Sequence, residues 1–180
     1  GLYKSDGSPV DTLLFEEQET DVSYGRQPDG SDNFYFFAEP TPLASNSTAG
    51  INSIEYSGEV IFSYDGGFYD SPVQLSLTSA SGSGTIHYTT NGSKPVSSSS
   101  IYSGPIDISQ TTVLKARIFE TGKIPGKTAT KTYFISEDRN LPAVSISADN
   151  RYLLNGDLAI YRHTYKEREI PVSFEYFPLS

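Results

Sequence analysis

Hydrophobic and polar positions alternate with period two through several short stretches of the chain. Val73, Leu75 and Leu77 point one way while Gln74, Ser76 and Thr78 point the other. Ile86 and Tyr88 alternate with small polar residues, Leu114, Ala116 and Ile118 alternate with Lys115 and Arg117, and Val172, Phe174 and Tyr176 alternate with Ser173 and Glu175. That spacing predicts half-buried antiparallel strands. Turn formers punctuate them. Asn91-Gly92 tolerates positive φ at both positions, and in Pro28-Asp29-Gly30 the proline presets φ while the glycine supplies the left-handed position. Thr132 to Ile135 reads as another strand, ended by the charged turn Ser136 to Pro142. The prediction is an all-β protein: a central β-sandwich with partial β segments at both ends.

The charge is spread unevenly over this pattern. Residues 1–39 carry nine acidic and two basic side chains (net −7), residues 40–136 six and six (net 0), and residues 137–180 seven and five (net −2). The first break coincides with the turn-forming run Pro40 to Gly50. The organisation read from these breaks is an N-terminal piece over 1–46, a linker over 47–56, a sandwich over 57–136 and a C-terminal piece over 141–180. The chain opens at Gly1-Leu2-Tyr3 in what reads as mid-strand, so a segment upstream is expected.

Four ordered blocks, Tyr69-Asp-Ser-Pro-Val-Gln-Leu-Ser-Leu-Thr78, Ile86-His-Tyr-Thr-Thr-Asn-Gly-Ser-Lys-Pro95, Ile101-Tyr-Ser-Gly-Pro-Ile106 and Thr112-Val-Leu-Lys-Ala-Arg117, resemble the chitobiase/β-hexosaminidase C-terminal type of domain. The resemblance implies an immunoglobulin/fibronectin-III-like sandwich that serves as an accessory module. Asn91 departs from the Asp-Gly-Ser usual at that turn. Asp21-Val-Ser-Tyr-Gly-Arg26, Pro28-Asp-Gly30, Phe34-Tyr-Phe36 and Pro40-Thr-Pro42 resemble the closing part of a bacterial lamin-tail domain. Leu141 to Ser147, Asp157 to Tyr161 and Arg168 to Pro171 resemble the opening of the CotH kinase-like family, with Ala159 and Ile170 as departures. That family's nucleotide and metal residues lie further along the chain, so none is assigned here.

Composition narrows the chemistry. A net charge of −9 and a pI near 4.6 disfavour nucleic acid and anionic membrane surfaces, and no apolar run is long enough to span a bilayer. With no cysteine there is no disulfide, thiolate ligand or thiol nucleophile. His87 and His163, 76 positions apart, have no metal-ligand spacing and read as a surface or edge histidine and a loop histidine. The acidic run Glu16 to Asp21 lacks calcium-loop spacing and reads as a solvated loop. Asp65 to Asp70 reads as a turn rather than an ion site, and Ser97 to Ser100 as a loop with no base beside it. No phosphate-cradling or nucleophile-elbow motif is present.

Exposed aromatics are the remaining candidates. Tyr69, Tyr88 and Tyr102 could form a sugar-stacking platform, or could pack the sandwich and its tyrosine corner. The function expected is that of a non-catalytic spacer in a secreted or cell-surface bacterial protein, with no metal and no cofactor. Its partners are neighbouring domains of the same chain. The alternatives are a carbohydrate-binding module for polysaccharide, and a fragment of a kinase-like protein whose active site lies downstream.

Overall fold

The computed structural model describes residues 1–15, 17–155 and 157–179, and the chain divides into two compact units, Gly1–Ile54 and Glu55–Ser180. In the first unit β1 (Leu2–Tyr3) pairs with β2 (Pro9–Asp11), and β3 (Ser23–Arg26) pairs antiparallel with β4 (Phe34–Phe37). The β3–β4 turn carries Gly30 at φ 75°, the left-handed position its sequence predicts. Phe37 and Ile51 are buried there.

The expected linker at 47–56 is not one. Phe36 and Ile51 exchange both backbone hydrogen bonds, at 2.8 and 2.9 Å. The Gln27 side-chain amide donates to the Asn46 and Thr48 carbonyls. Turn formers in this run fold the chain back along β4, and the break between units falls after Ile54.

The second unit holds the sandwich. One layer is a five-stranded sheet in the order β10 (Ser100–Ile101), β9 (Thr85–Thr89), β12 (Thr112–Phe119), β13 (Ala129–Ile135) and β6 (Gly67–Tyr69). All neighbours are antiparallel except β13 and β6, which run parallel. The facing layer comes from β5 (Val60–Phe62) with β8 (Leu77–Ser79), and from β7 (Val73–Leu75) with β11 (Ile106–Ile108). The predicted strand 73–78 is thus split at Ser76, where it changes partner. Ser63 bridges the split, donating its N–H to the Ser76 carbonyl and accepting the Ser76 N–H on its hydroxyl.

Between the layers Leu75, Leu77, Ile86, Leu114, Ala116, Ile118, Tyr133 and Ile135 form the core, so the alternation in β12 and β7/β8 does face inward as predicted. The fold is nearly all β, in line with an immunoglobulin/fibronectin-III-like sandwich.

The C-terminal strands β14 (Ala143–Ser147) and β15 (Ser173–Phe177) pair antiparallel and belong to the same unit as the sandwich rather than starting a separate body at residue 141. A four-residue helix, α1 (Asn150–Leu153), follows β14, where the sequence gave no helical period. Asp149 caps it, its carboxylate accepting the Arg151 N–H.

Candidate functional site

The three tyrosines singled out by sequence do not share a surface. All are partly buried and packed against the core. Tyr69, on β6, donates its hydroxyl to the Asp65 carbonyl at 2.6 Å and sets its ring against Tyr64 and Tyr133. Burial, with the Asp65 carboxylate adding to it, raises its phenol above the ordinary tyrosine value. Tyr88 lies on β9 between Ser100 and Ala116. Tyr102 follows β10, held by its N–H to the Ile86 carbonyl at 2.8 Å. Two strands, β12 and β13, separate β9 from β6, which puts Tyr88 and Tyr69 about 14 Å apart across the sheet at the usual strand spacing.

The tyrosine that sequence reasoning missed is Tyr133. It is wholly buried, and its hydroxyl donates to the Tyr64 carbonyl at 2.9 Å. Desolvation holds its phenol far above the ordinary value. Only its place in the Thr132–Ile135 alternation marked it.

Several expectations change with the geometry. His87 is buried, not a surface or edge residue, because β10 and β12 flank it on both sides. Its Nδ1 lies 3.0 Å from the Ser99 carbonyl and its ring meets Phe119 edge-on. An imidazole therefore does sit beside the serine run, but at a carbonyl rather than a hydroxyl. His163 is a loop residue, 3.3 Å from the Tyr165 hydroxyl. Gly67 to Tyr69 form a strand instead of the expected turn, and Asp65 pairs with Lys131 at 2.9 Å. Of the acidic run, Glu16 lies outside the described residues, as does Gly156 of the predicted Asn155-Gly156 turn. Among the described residues no cluster of three or more His, Cys, Asp or Glu could hold a metal.

The less usual geometry is at the β14–β15 hairpin. Its polar side chains face the sandwich and its apolar ones face away. Glu175 reaches Thr132, accepting the backbone N–H at 3.2 Å on one oxygen and the hydroxyl at 2.6 Å on the other. Ser145 contacts the same hydroxyl at 2.7 Å, and Ser173 meets Thr130 at 3.1 Å. Parallel pairing of β6 to β13 begins at Gly67. The Glu175 carboxylate thus accepts an N–H that strand pairing leaves open just before β6 starts.

A Cβ on Gly66 would lie 2.9 Å from the Thr132 carbonyl and 3.0 Å from Glu175 Oε1. The close approach of the carboxylate needs glycine there. Beyond the polar layer Phe177 meets Phe134 and Phe68 edge-on, and those two rings stack at 4.5 Å. Arg139 lies over Phe68 and donates to the Pro178 carbonyl.

Lys115 is also buried on the outer side of β12, and desolvation lowers its pKa, opposed by the charge of Asp149. On the solvent side of the hairpin, Val144 pairs with Tyr176 and Ile146 with Phe174. These four side chains are 51–66% exposed.

The fold and these surfaces define an all-β accessory sandwich that carries a docked hairpin. Residues 64–132 match the chitobiase/beta-hexosaminidase C-terminal domain family, a non-catalytic, sugar-associated accessory module. The match begins just before β6 and ends inside β13, so β5 and the β14–β15 hairpin lie outside it. No curated protein and no solved structure matches the chain. Among the described residues no helix is long and apolar enough to cross a membrane.

Proposed function

We propose that the chain is a non-catalytic spacer of a secreted or cell-surface protein, whose sandwich fixes the position of a neighbouring module of the same polypeptide. The observation that carries this reading is the reversed polarity of the β14–β15 hairpin. An antiparallel pair ordinarily turns its apolar face to the core and its polar face to water. Here hydrogen bonds and the Phe68–Phe134–Phe177 cluster fasten the polar side down, leaving Val144, Ile146, Phe174 and Tyr176 outward.

Two strands alone do not make an independent layer, so this face suits a further layer packed on it. Four side chains fall well short of the ~20–30 residues a side that a standard interface between free partners uses. A module tethered in the same chain needs less area, because its effective concentration is high. The resemblance of 141–180 to the opening of a CotH kinase-like domain, and of 1–46 to the end of a lamin-tail domain, supports the same order of modules.

Pulling the chain between two handle domains in a single-molecule force experiment tests the spacer reading. The hairpin and sandwich should resist as one body and lose their length in a single step. Peeling of residues 137–179 at a distinctly lower force would overturn it.

A further inference from the structure

The β8–β9 connection passes from one layer of the sandwich to the other and leaves an open cleft of about 470 Å³ at that side, within the ~300–1,000 Å³ of small-molecule sites. Its floor is the core itself: Leu77 and Ile86, only 3% and 8% exposed. Its walls are Tyr102 on one side and Thr78, Ser79, Gly82, Gly84 and Thr85 around it.

None of the lining side chains is charged. The rim is a run of hydroxyls. Ser79 lies 3.0 Å from Ser81, Ser81 lies 3.1 Å from Ser83, and Ser83 donates to Glu120 at 3.0 Å. Glu120 is itself neutralised by Lys123 at 3.0 Å and accepts the Gly58 N–H, so the charge behind the rim is already paired. Glycine keeps the cleft wall thin. At Gly84, φ is +84°, and a Cβ would come within 2.5 Å of Ile118 and 2.7 Å of Glu120.

An apolar floor, one phenol ring with its backbone fixed, and a hydroxyl rim without net charge suit a ligand with apolar ring faces and many neutral hydroxyls. We propose that this cleft binds a neutral saccharide, its ring face against Tyr102 and its hydroxyls on Ser79, Thr78 and Thr85. The strong negative charge of the chain selects against acidic sugars at the same place. Of the three tyrosines marked by sequence, Tyr102 alone lines the cleft. The proposal does not depend on the spacer reading, since the docked hairpin covers the outer side of the five-stranded sheet and the cleft opens between its inner side and the facing layer.

Amide chemical-shift titration of the whole chain tests it, with cellotriose, mannotriose, xylotriose and chitotriose as neutral probes and trigalacturonate as the acidic one. At least one neutral trisaccharide should move the Gly82, Gly84, Thr85 and Tyr102 amides together. Tyr102→Ala should weaken that binding about tenfold or more, a loss of ~1.4 kcal/mol. Because Tyr102 packs on the core, Thr85→Arg serves as the second variant: Thr85 is exposed, and a long side chain there blocks the cleft without touching the core. It should abolish the shifts while leaving the rest of the spectrum in place. Silence with all four neutral sugars, shifts confined to other residues, binding of trigalacturonate alone, or binding unchanged in the folded Thr85→Arg variant would each overturn the proposal.

Discussion

Tyr133 is wholly buried and spends its one polar atom on the Tyr64 carbonyl. Tyr133→Phe should therefore cost about 1 kcal/mol, the worth of one hydrogen bond. Leu114→Ala, which opens a cavity at a fully buried position, should cost about 2–5 kcal/mol. Urea unfolding of both variants gives the two numbers, and the order should not reverse. Ser145 and Ser147 make a second contrast. Ser145 shares the Thr132 hydroxyl, whereas the Ser147 hydroxyl is buried with no hydrogen-bond partner among the described residues. Ser145→Ala should lower the urea midpoint and Ser147→Ala should leave it unchanged or raise it, because deleting an unsatisfied buried hydroxyl removes a desolvation cost.

Glu120 carries the pH dependence. Its hydrogen bond from Lys123, and then those from Gly58 and Ser83, hold its carboxyl below the ordinary carboxylate value. A depressed folded value means the stabilisation is present above the unfolded carboxylate pKa and is lost as pH falls through the folded one. Melting curves should show Glu120→Gln less stable than the parent at neutral pH. The gap should close as pH drops below the ordinary carboxylate range. A gap that persists or widens in acid would contradict this account of the site.

At the scale of elements, the hairpin turns on Glu175. Glu175→Val keeps the strand-forming β-branch but leaves the Thr132 N–H and hydroxyl without their acceptor. It should cost about 1–3 kcal/mol and should expose Trp-free, Phe-rich surface at the Phe68–Phe177 contact. ANS fluorescence should rise in step with that loss.

Much of the element pattern was legible in the sequence. The alternations in 73–78, 114–118 and 172–176 are strands in the structure, because period two survives whatever the strand packs against. What the pattern cannot carry is which face turns inward. In β15 the apolar side of that alternation faces solvent, reversed by a carboxylate whose partner, Thr132, lies 43 positions away. Strand β6 was missed for a related reason. Its Gly-Gly approach read as a turn, and its pairing is parallel to a strand far along the chain. His87 was misjudged because a strand's neighbours on either side are tertiary facts. Helix α1 depends on one capping side chain, too short a signal for periodicity.

Over the whole molecule, the central sandwich was readable from four ordered blocks, and residues 64–132 match the family those blocks resemble. The three tyrosines could be named from sequence but not their arrangement. Two fall on opposite sides of the sheet order, and only Tyr102 reaches a cleft. The account's central claim is that the β14–β15 hairpin is fastened to the sandwich and so holds its outward face in a fixed place. Native-state hydrogen exchange tests this most directly. The inter-strand amides of Ala143–Ser147 and Ser173–Phe177 should be strongly protected, opening with a free energy close to that of β12 and β13. Hairpin amides that exchange near unprotected rates while β12 and β13 stay protected would contradict it.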